Sequence, residues 1–155
     1  MGGGQADKAT LAVAGELGAL IAGRGWVLLN GGRNAGVMAA SAAGARAAGG
    51  LVVGVLGGAN PAQASPDLDV AICTGLGDGR NLINVLSANV IIACRGGAGT
   101  LSEVALALKN DKPVILLDFD PGPAVEPYRH RGLLHTATSA DDAVQKAASL
   151  LEPAS

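Results

Sequence analysis

The chain has 155 residues, enough for a domain that buries a core without disulfide or metal staples. Apolar residues make up 49% of it and the net charge is −2, which excludes a disordered chain and a basic field that would draw in nucleic acid or membrane. Trp26, Phe119 and Tyr128 are the only aromatic residues, too few for the stacking platforms of a single-strand binder.

Cys73 and Cys94 each end an apolar run and read as small buried apolar residues; two cysteines make neither a disulfide framework nor a zinc set. No apolar stretch approaches the roughly 20 residues of a membrane span. Met1-Gly2-Gly3-Gly4 lacks the basic and apolar regions of a signal peptide. The expectation is a cytoplasmic protein with no membrane partner and no metal site. His130 and His135 have no companion at metal-ligand spacing, and no serine or cysteine stands in a triad-like context.

In chain order, a helix runs from about Gln5 to Ala22, with Val13, Leu17, Leu20 and Ile21 as its buried stripe and Gly23 or Gly25 as its stop. Trp26 to Asn30 is a strand that empties into Gly31-Gly32-Arg33-Asn34-Ala35-Gly36. A small-residue helix follows from Val37 to Ala48, suited to close packing on the sheet or on another subunit. Leu51 to Leu56 is a strand, and residues 57–69 are a loop. Val70 to Cys73 is a short strand leading to Gly75-Leu76-Gly77-Asp78-Gly79. The helix from Arg80 to Ser87 is expected to bury Leu82, Val85 and Leu86.

Val90 to Cys94 is short, apolar and ended by glycines, the pattern of a strand covered on both faces. It runs into Arg95-Gly96-Gly97-Ala98-Gly99-Thr100, and Leu101, Val104, Ala105 and Leu108 form one helical stripe after it. Pro113 to Leu117 is a further buried strand, and Phe119 to Gly132 a polar, proline-rich loop. Leu133 to Thr136 is a short edge strand. Asp141 to Leu151 closes the chain as a helix capped by Ser139.

Alternating strands and helices predict an α/β fold: a Rossmann-like three-layer sandwich with a mostly parallel central sheet and helices on both faces, one domain over residues 1–155. Ligands of such sheets bind beyond the carboxyl ends of the strands. Gly2-Gly3-Gly4 follows no strand, which predicts that an apolar segment upstream of Met1 belongs in the sheet.

Three glycine turns then share one edge. Helix-start amides lack internal partners, the helix dipole is positive there, and glycine permits close approach, so a phosphate is the expected ligand. Arg33 and Asn34 supply a charge and an amide at a strand exit. Arg80 sits where the dipole disfavours a cation, which fits an anion between it and the amides; pairing with Asp78 on the surface is the alternative. Glu103 is a carboxylate placed for the helix dipole, a capping partner of Thr100, or a carboxylate aimed at the sugar or heterocycle of the ligand. Arg95 is a second anion contact or a solvent-facing side chain.

Arg80, Gly96-Gly97-x-Gly99-Thr100-x-x-Glu103 and Gly31-Gly32-x-x-x-Gly36-Val37-Met38 together resemble the lysine-decarboxylase-like (LOG) superfamily, over roughly residues 2–118. Within it, Gly79-Arg80-Asn81-x-x-Asn84-Val85 and the run from Glu103 to Lys109 are most similar to the molybdenum-cofactor carrier proteins. That resemblance implies a non-catalytic, homo-oligomeric (dimer or tetramer) binder with the phosphorylated molybdopterin as cargo and molybdoenzymes as partners. The superfamily's older name implies pyridoxal phosphate, but Lys8, Lys109, Lys112 and Lys146 lie in solvent-facing patterns, so neither pyridoxal phosphate nor NAD is expected. Cargo contacts would fall on Gly31, Gly32, Arg33, Asn34, Gly36, Arg80, Asn81, Gly96, Gly97, Gly99, Thr100 and Glu103.

The enzymatic branch of the superfamily cleaves the N-glycosidic bond of nucleoside 5′-monophosphates, and its catalytic pair would map to Arg80 and Glu103. Two positions depart from it. Arg95 replaces the proline before the glycine pair, and Asn81 replaces the lysine after the arginine.

Overall fold

A computed structural model describes residues 1–152 of the chain; the last three residues of the expected domain lie outside the described ones. Among the described residues six strands and six α-helices follow one another: α1 (Lys8–Gly23), β1 (Leu28–Asn30), α2 (Gly36–Ala47), β2 (Val52–Leu56), β3 (Val70–Cys73), α3 (Arg80–Ser87), β4 (Ile91–Cys94), α4 (Ala98–Lys109), β5 (Val114–Leu117), α5 (Glu126–His130), β6 (Leu134–Ala137) and α6 (Ala140–Leu151). The strands form two parallel three-stranded sheets, ordered β1-β2-β3 and β4-β5-β6. None of the described helices is long and apolar enough to cross a membrane.

The α/β, Rossmann-like layering is as expected. β4 and β5 are buried at every position, because helices cover both of their faces. On one face Ile92, Cys94, Ile115 and Leu117 pack with Ala14 and Leu17 of α1 and with Ala143, Val144 and Ala147 of α6. On the other, Ile91, Ala93, Val114 and Leu116 pack with Val85 of α3 and with Val104, Ala107 and Leu108 of α4. A third cluster joins Leu28 and Val52 to Ala42 and Ala45 of α2. Alternate strand residues thus feed opposite layers, the period-2 rule at work.

The small residues of α2 pack within the chain, against α1. Ser41, Ala42 and Ala45 are buried, and a Cβ on Gly18 of α1 would overlap the Ser41 carbonyl and the Ala45 amide. At α6, Ser139 caps the helix by accepting from the Asp142 N–H at 3.1 Å. Residues 119–132 contain a 3-10 turn at Pro123–Val125 and then α5. The expected plain loop is therefore corrected: proline at the start of each turn presets its φ.

Residues 1–3 run beside β4 on the edge opposite β5. The Met1 amine donates to the Ile92 carbonyl at 2.6 Å, the Cys94 N–H to the Met1 carbonyl at 2.9 Å and the Gly3 N–H to the Arg95 carbonyl at 3.2 Å. Gly3 then accepts from Val37 N–H of α2 at 3.0 Å, which ties the two sheets together at their carboxyl ends. Among the described residues no complete strand lies between β1 and β4.

Three burial expectations fail. On α3, Asn81, Asn84 and Val85 face inward, while Leu82 and Leu86 are 40% and 50% exposed. On α4, Leu101 and Ala105 are exposed, and Thr100, Glu103, Val104, Ala107 and Leu108 form the inner face. Cys73 is exposed and only Cys94 is buried. The first two cases share a cause: both helices turn polar residues into a cavity, so the apolar stripe is not the buried stripe. Cys73 lies on β3, which is exposed throughout as the uncovered edge of its sheet.

Candidate functional site

β1, α3 and α4 meet at the carboxyl ends of the strands around a cavity of about 310 Å³. Its rim carries Gly31 and Arg33 from the turn after β1, Asp78 and Arg80 from the turn before α3, and Gly97, Gly99 and Thr100 from the start of α4. Its wall carries Asn81, Asn84 and Glu103, and it continues between β1 and β4 past Leu29, Ile91 and Ile92. Residues 1–4 line it too.

α4 offers the open amides. Its N-cap is Gly97, with no side-chain capping bond, and the first N–H groups of a helix have no intrahelical acceptor. Gly97, Gly99 and Thr100 of this turn line the cavity, at the positive end of the helix dipole. Gly96, at the bend, packs on Thr100: a Cβ there would overlap the Thr100 hydroxyl. Thr100 is 3% exposed, so it is held inside the helix and does not cap it. The capping alternative for Glu103 therefore fails.

Loop 31–36 is built differently from expectation. Three of its six N–H groups bond within the chain: Gly32 to Asn30 Oδ1 at 2.8 Å, Asn34 to the Gln63 carbonyl at 2.8 Å and Ala35 to the Arg33 carbonyl at 2.8 Å. Asn30, unremarked in the sequence, organises it. Its Nδ2 donates to the Met38 carbonyl at 3.0 Å and to Ser41 Oγ at 3.2 Å. The signal was a polar residue ending an apolar strand. Gly32, Asn34, Gly36 and Gly96 lie outside the cavity wall, whereas Gly31, Arg33, Arg80, Asn81, Gly97, Gly99, Thr100 and Glu103 line it.

Arg80 reaches from the start of α3 across Gly31, where a Cβ would overlap its guanidinium. Its Nη1 stands 3.9 Å from Glu103 Oε1, both side chains being largely buried (14% and 10% exposed). It pairs with Glu103 and not, as the alternative had it, with Asp78. Burial pushes the Glu103 carboxyl above its ordinary range, against the pull of the Met1 amine, Arg80 and the Asn84 amide. Asn84 is 4% exposed, and its Oδ1 has no hydrogen-bond donor. A buried acceptor without a donor costs free energy unless something supplies one.

Arg95 stands apart. It is 65% exposed and lies 3.8 Å from Asp7 and 3.9 Å from Asp118, so it faces solvent. Among the described residues no three histidine, cysteine or acidic side chains gather as a metal site.

The arrangement, a parallel α/β sheet whose carboxyl end holds an open helix start, two arginines and a buried carboxylate–amide wall, defines a Rossmann-like small-molecule site. The comparisons agree. The chain belongs to the SLOG cluster4 family, whose model matches residues 1–149. The structure superposes on the molybdenum cofactor binding protein of Rippkaea orientalis with a TM-score of 0.89 and 47% identity, covering 96% of this chain and 91% of that one. The molybdenum cofactor carrier protein of Chlamydomonas reinhardtii gives 0.84 and 42%, with 97% and 93% covered. A cytokinin riboside 5′-monophosphate phosphoribohydrolase of Mycobacterium tuberculosis is 38% identical over 70% of this chain and 62% of its own length.

Proposed function

We propose that the cavity carries a phosphorylated heterocycle, with the phosphorylated molybdopterin of molybdenum cofactor as the cargo. The phosphate lies at the α4 start on Gly97, Gly99 and Thr100, between Arg80 and Arg33; Gly31 gives Arg80 its path. Two guanidinium groups and free helix-start amides make charge-assisted contacts worth roughly 1.5–3 kcal/mol each. Glu103 repels the phosphate and so holds it at the rim. Glu103, Asn81 and Asn84 then receive the N–H groups of the ring, and the donorless Asn84 oxygen is the atom most in need of one.

The observation that carries the reading is this cavity on a chain that aligns almost end to end with two molybdenum-cofactor proteins at more than 40% identity. Its partners are then other copies of the chain and molybdoenzymes that accept the cofactor. Denaturing the purified protein and identifying the released small molecule by mass spectrometry tests it. A molybdopterin or its oxidation product supports the carrier. A nucleotide at one equivalent per chain, with no transfer of activity to an apo-molybdoenzyme, refutes it.

One observation favours a second reading. Arg80 and Glu103 stand together beside the anion site, as a phosphoribohydrolase requires, and a relative of that name is 38% identical. In that reaction Arg80 would orient the nucleotide and Glu103 would hold the ribose as positive charge develops at its anomeric carbon. AMP incubation with chromatography for free adenine separates the two: adenine release that disappears in Glu103→Ala makes the protein a hydrolase.

A further inference from the structure

The inner wall of the cavity is built from buried polar side chains. Asn81 and Asn84 stand one turn apart on α3, and Glu103 approaches them from α4. They are nearly sealed from solvent, at 6%, 4% and 7% exposed. Burying such groups costs free energy unless their hydrogen-bonding capacity is filled.

The chain itself leaves part of that capacity unfilled. The Asn84 amide nitrogen is turned toward the Glu103 carboxyl, which fixes the orientation of the amide. Its Oδ1 is then the free end, and no donor reaches it. Arg80 Nη1 stands 3.9 Å from Glu103 Oε1, beyond hydrogen-bond length. It balances charge and leaves carboxylate lone pairs open. An ionised carboxylate can only accept. Asn84 Oδ1 and Glu103 are therefore two neighbouring acceptors, and the amide donor between them is already engaged.

Valence decides which ring edge satisfies such a pair. The edge must present two adjacent N–H groups. A 2-amino-4-oxopyrimidine ring does so through its ring N–H and its 2-amino group, and both guanine and pterin contain that ring. Hypoxanthine keeps the ring N–H and lacks the amino group. Adenine sets a ring-nitrogen lone pair beside its 6-amino group, so against this wall an acceptor would meet an acceptor.

We propose, resting on the reading of this cavity as a site for a phosphorylated heterocycle, that Asn84 and Glu103 determine its specificity. They select the 2-amino-4-oxopyrimidine edge, so the chain takes GMP as well as phosphorylated pterins and discriminates against IMP and AMP. The phosphate contacts of Arg80, Arg33 and the α4 start are common to all of these ligands. Differences among the nucleotides therefore report the wall alone.

Isothermal titration calorimetry of the full chain with GMP, IMP and AMP near neutral pH tests this, because the three differ only in the ring. A site built to bond ring N–H groups rejects analogues that lack them. Each lost bond that leaves a buried acceptor open should weaken binding about 10-fold or more, so IMP is expected at least about 10-fold and AMP at least about 100-fold weaker than GMP. Asn84→Leu should weaken GMP and barely change AMP, so that the ratio of the two affinities falls; a merely structural role would weaken both alike. The nucleotide series uses the wild-type chain, so it decides the matter even where the variant does not fold. Equal affinity for the three nucleotides, or tighter binding of AMP, overturns the proposal and leaves the cavity reading standing. Failure of all three to bind overturns it too, and titration with a phosphorylated pterin then shows whether the cavity reading falls with it.

Discussion

The Arg80 guanidinium lies over the α-carbon of Gly31, in space that any side chain at 31 would occupy. Gly31→Ala should displace the arginine from the cavity while leaving the sheet intact, since the overlap is with the end of a flexible side chain. Losing one charge-assisted contact corresponds to about 10- to 100-fold weaker binding. Titration of the variant with a phosphorylated pterin or AMP checks this, and an unchanged Kd would detach Arg80 from ligand binding.

Glu103 gives a pH prediction. Burial is the main cause that raises its folded-state pKa above the ordinary carboxylate value. The folded protein thus holds this proton more tightly than the unfolded chain. Its contribution to stability is present at acid pH and is lost as pH rises through the folded pKa. Glu103→Gln removes the charge and should raise Tm at pH 7, by about 2–4 °C for each kcal/mol recovered. The gain should shrink as pH falls into the range where wild-type Glu103 is itself protonated. Thermal melts of both proteins at a series of pH values measure it. A gain that grows toward acid would contradict the burial argument.

Asn84 predicts a loss of binding at little change in stability. Its Oδ1 is buried without a donor, and exchanging such a group for an apolar one of similar size is often neutral or stabilising. Asn84→Leu relieves that cost but takes the amide away from the buried Glu103 carboxyl, so it should change stability by no more than about 1 kcal/mol and bind ligand at least 10-fold less well. Urea melts and ligand titration on the same preparation give both numbers. Loss of stability with unaltered affinity would mean that the amide serves the fold alone.

Much of this was legible in the residues. Runs such as Val114–Leu117 admit only a strand covered on both faces, and Ser139 before Asp142 gave a cap that forms. The glycine turns and Arg80 with Glu103 were visible as motifs because glycine and charge stand out against an apolar background. What escaped was anything that depends on direction. The stripe rule assigned Leu82 and Leu86 to the core because it assumes that a helix buries its apolar side; α3 instead buries asparagines against a cavity. Likewise, Gly31-Gly32 suggested free amides, but Asn30 and Gln63 occupy those of Gly32 and Asn34. Asn30 and Asn84 are ordinary in the sequence, and only their burial singles them out.

The α1–α2 pair gives the sharpest stability test. A Cβ on Gly18 would overlap the backbone of Ser41 and Ala45, and backbone cannot swing aside as a side chain can. The helices must separate, which strips contact from Ala42 and Ala45, both fully buried. Overpacking typically costs about 1–3 kcal/mol, and a backbone collision belongs at the upper end. Gly23→Ala, in the last turn of the same helix with open space around it, should instead be neutral or stabilising by up to about 1 kcal/mol, since alanine is the better helix former. Chemical denaturation of the two variants beside wild type compares one chemical change in two settings. Equal effects would show that helix propensity, and not the closeness of α1 to α2, governs the glycines of this helix.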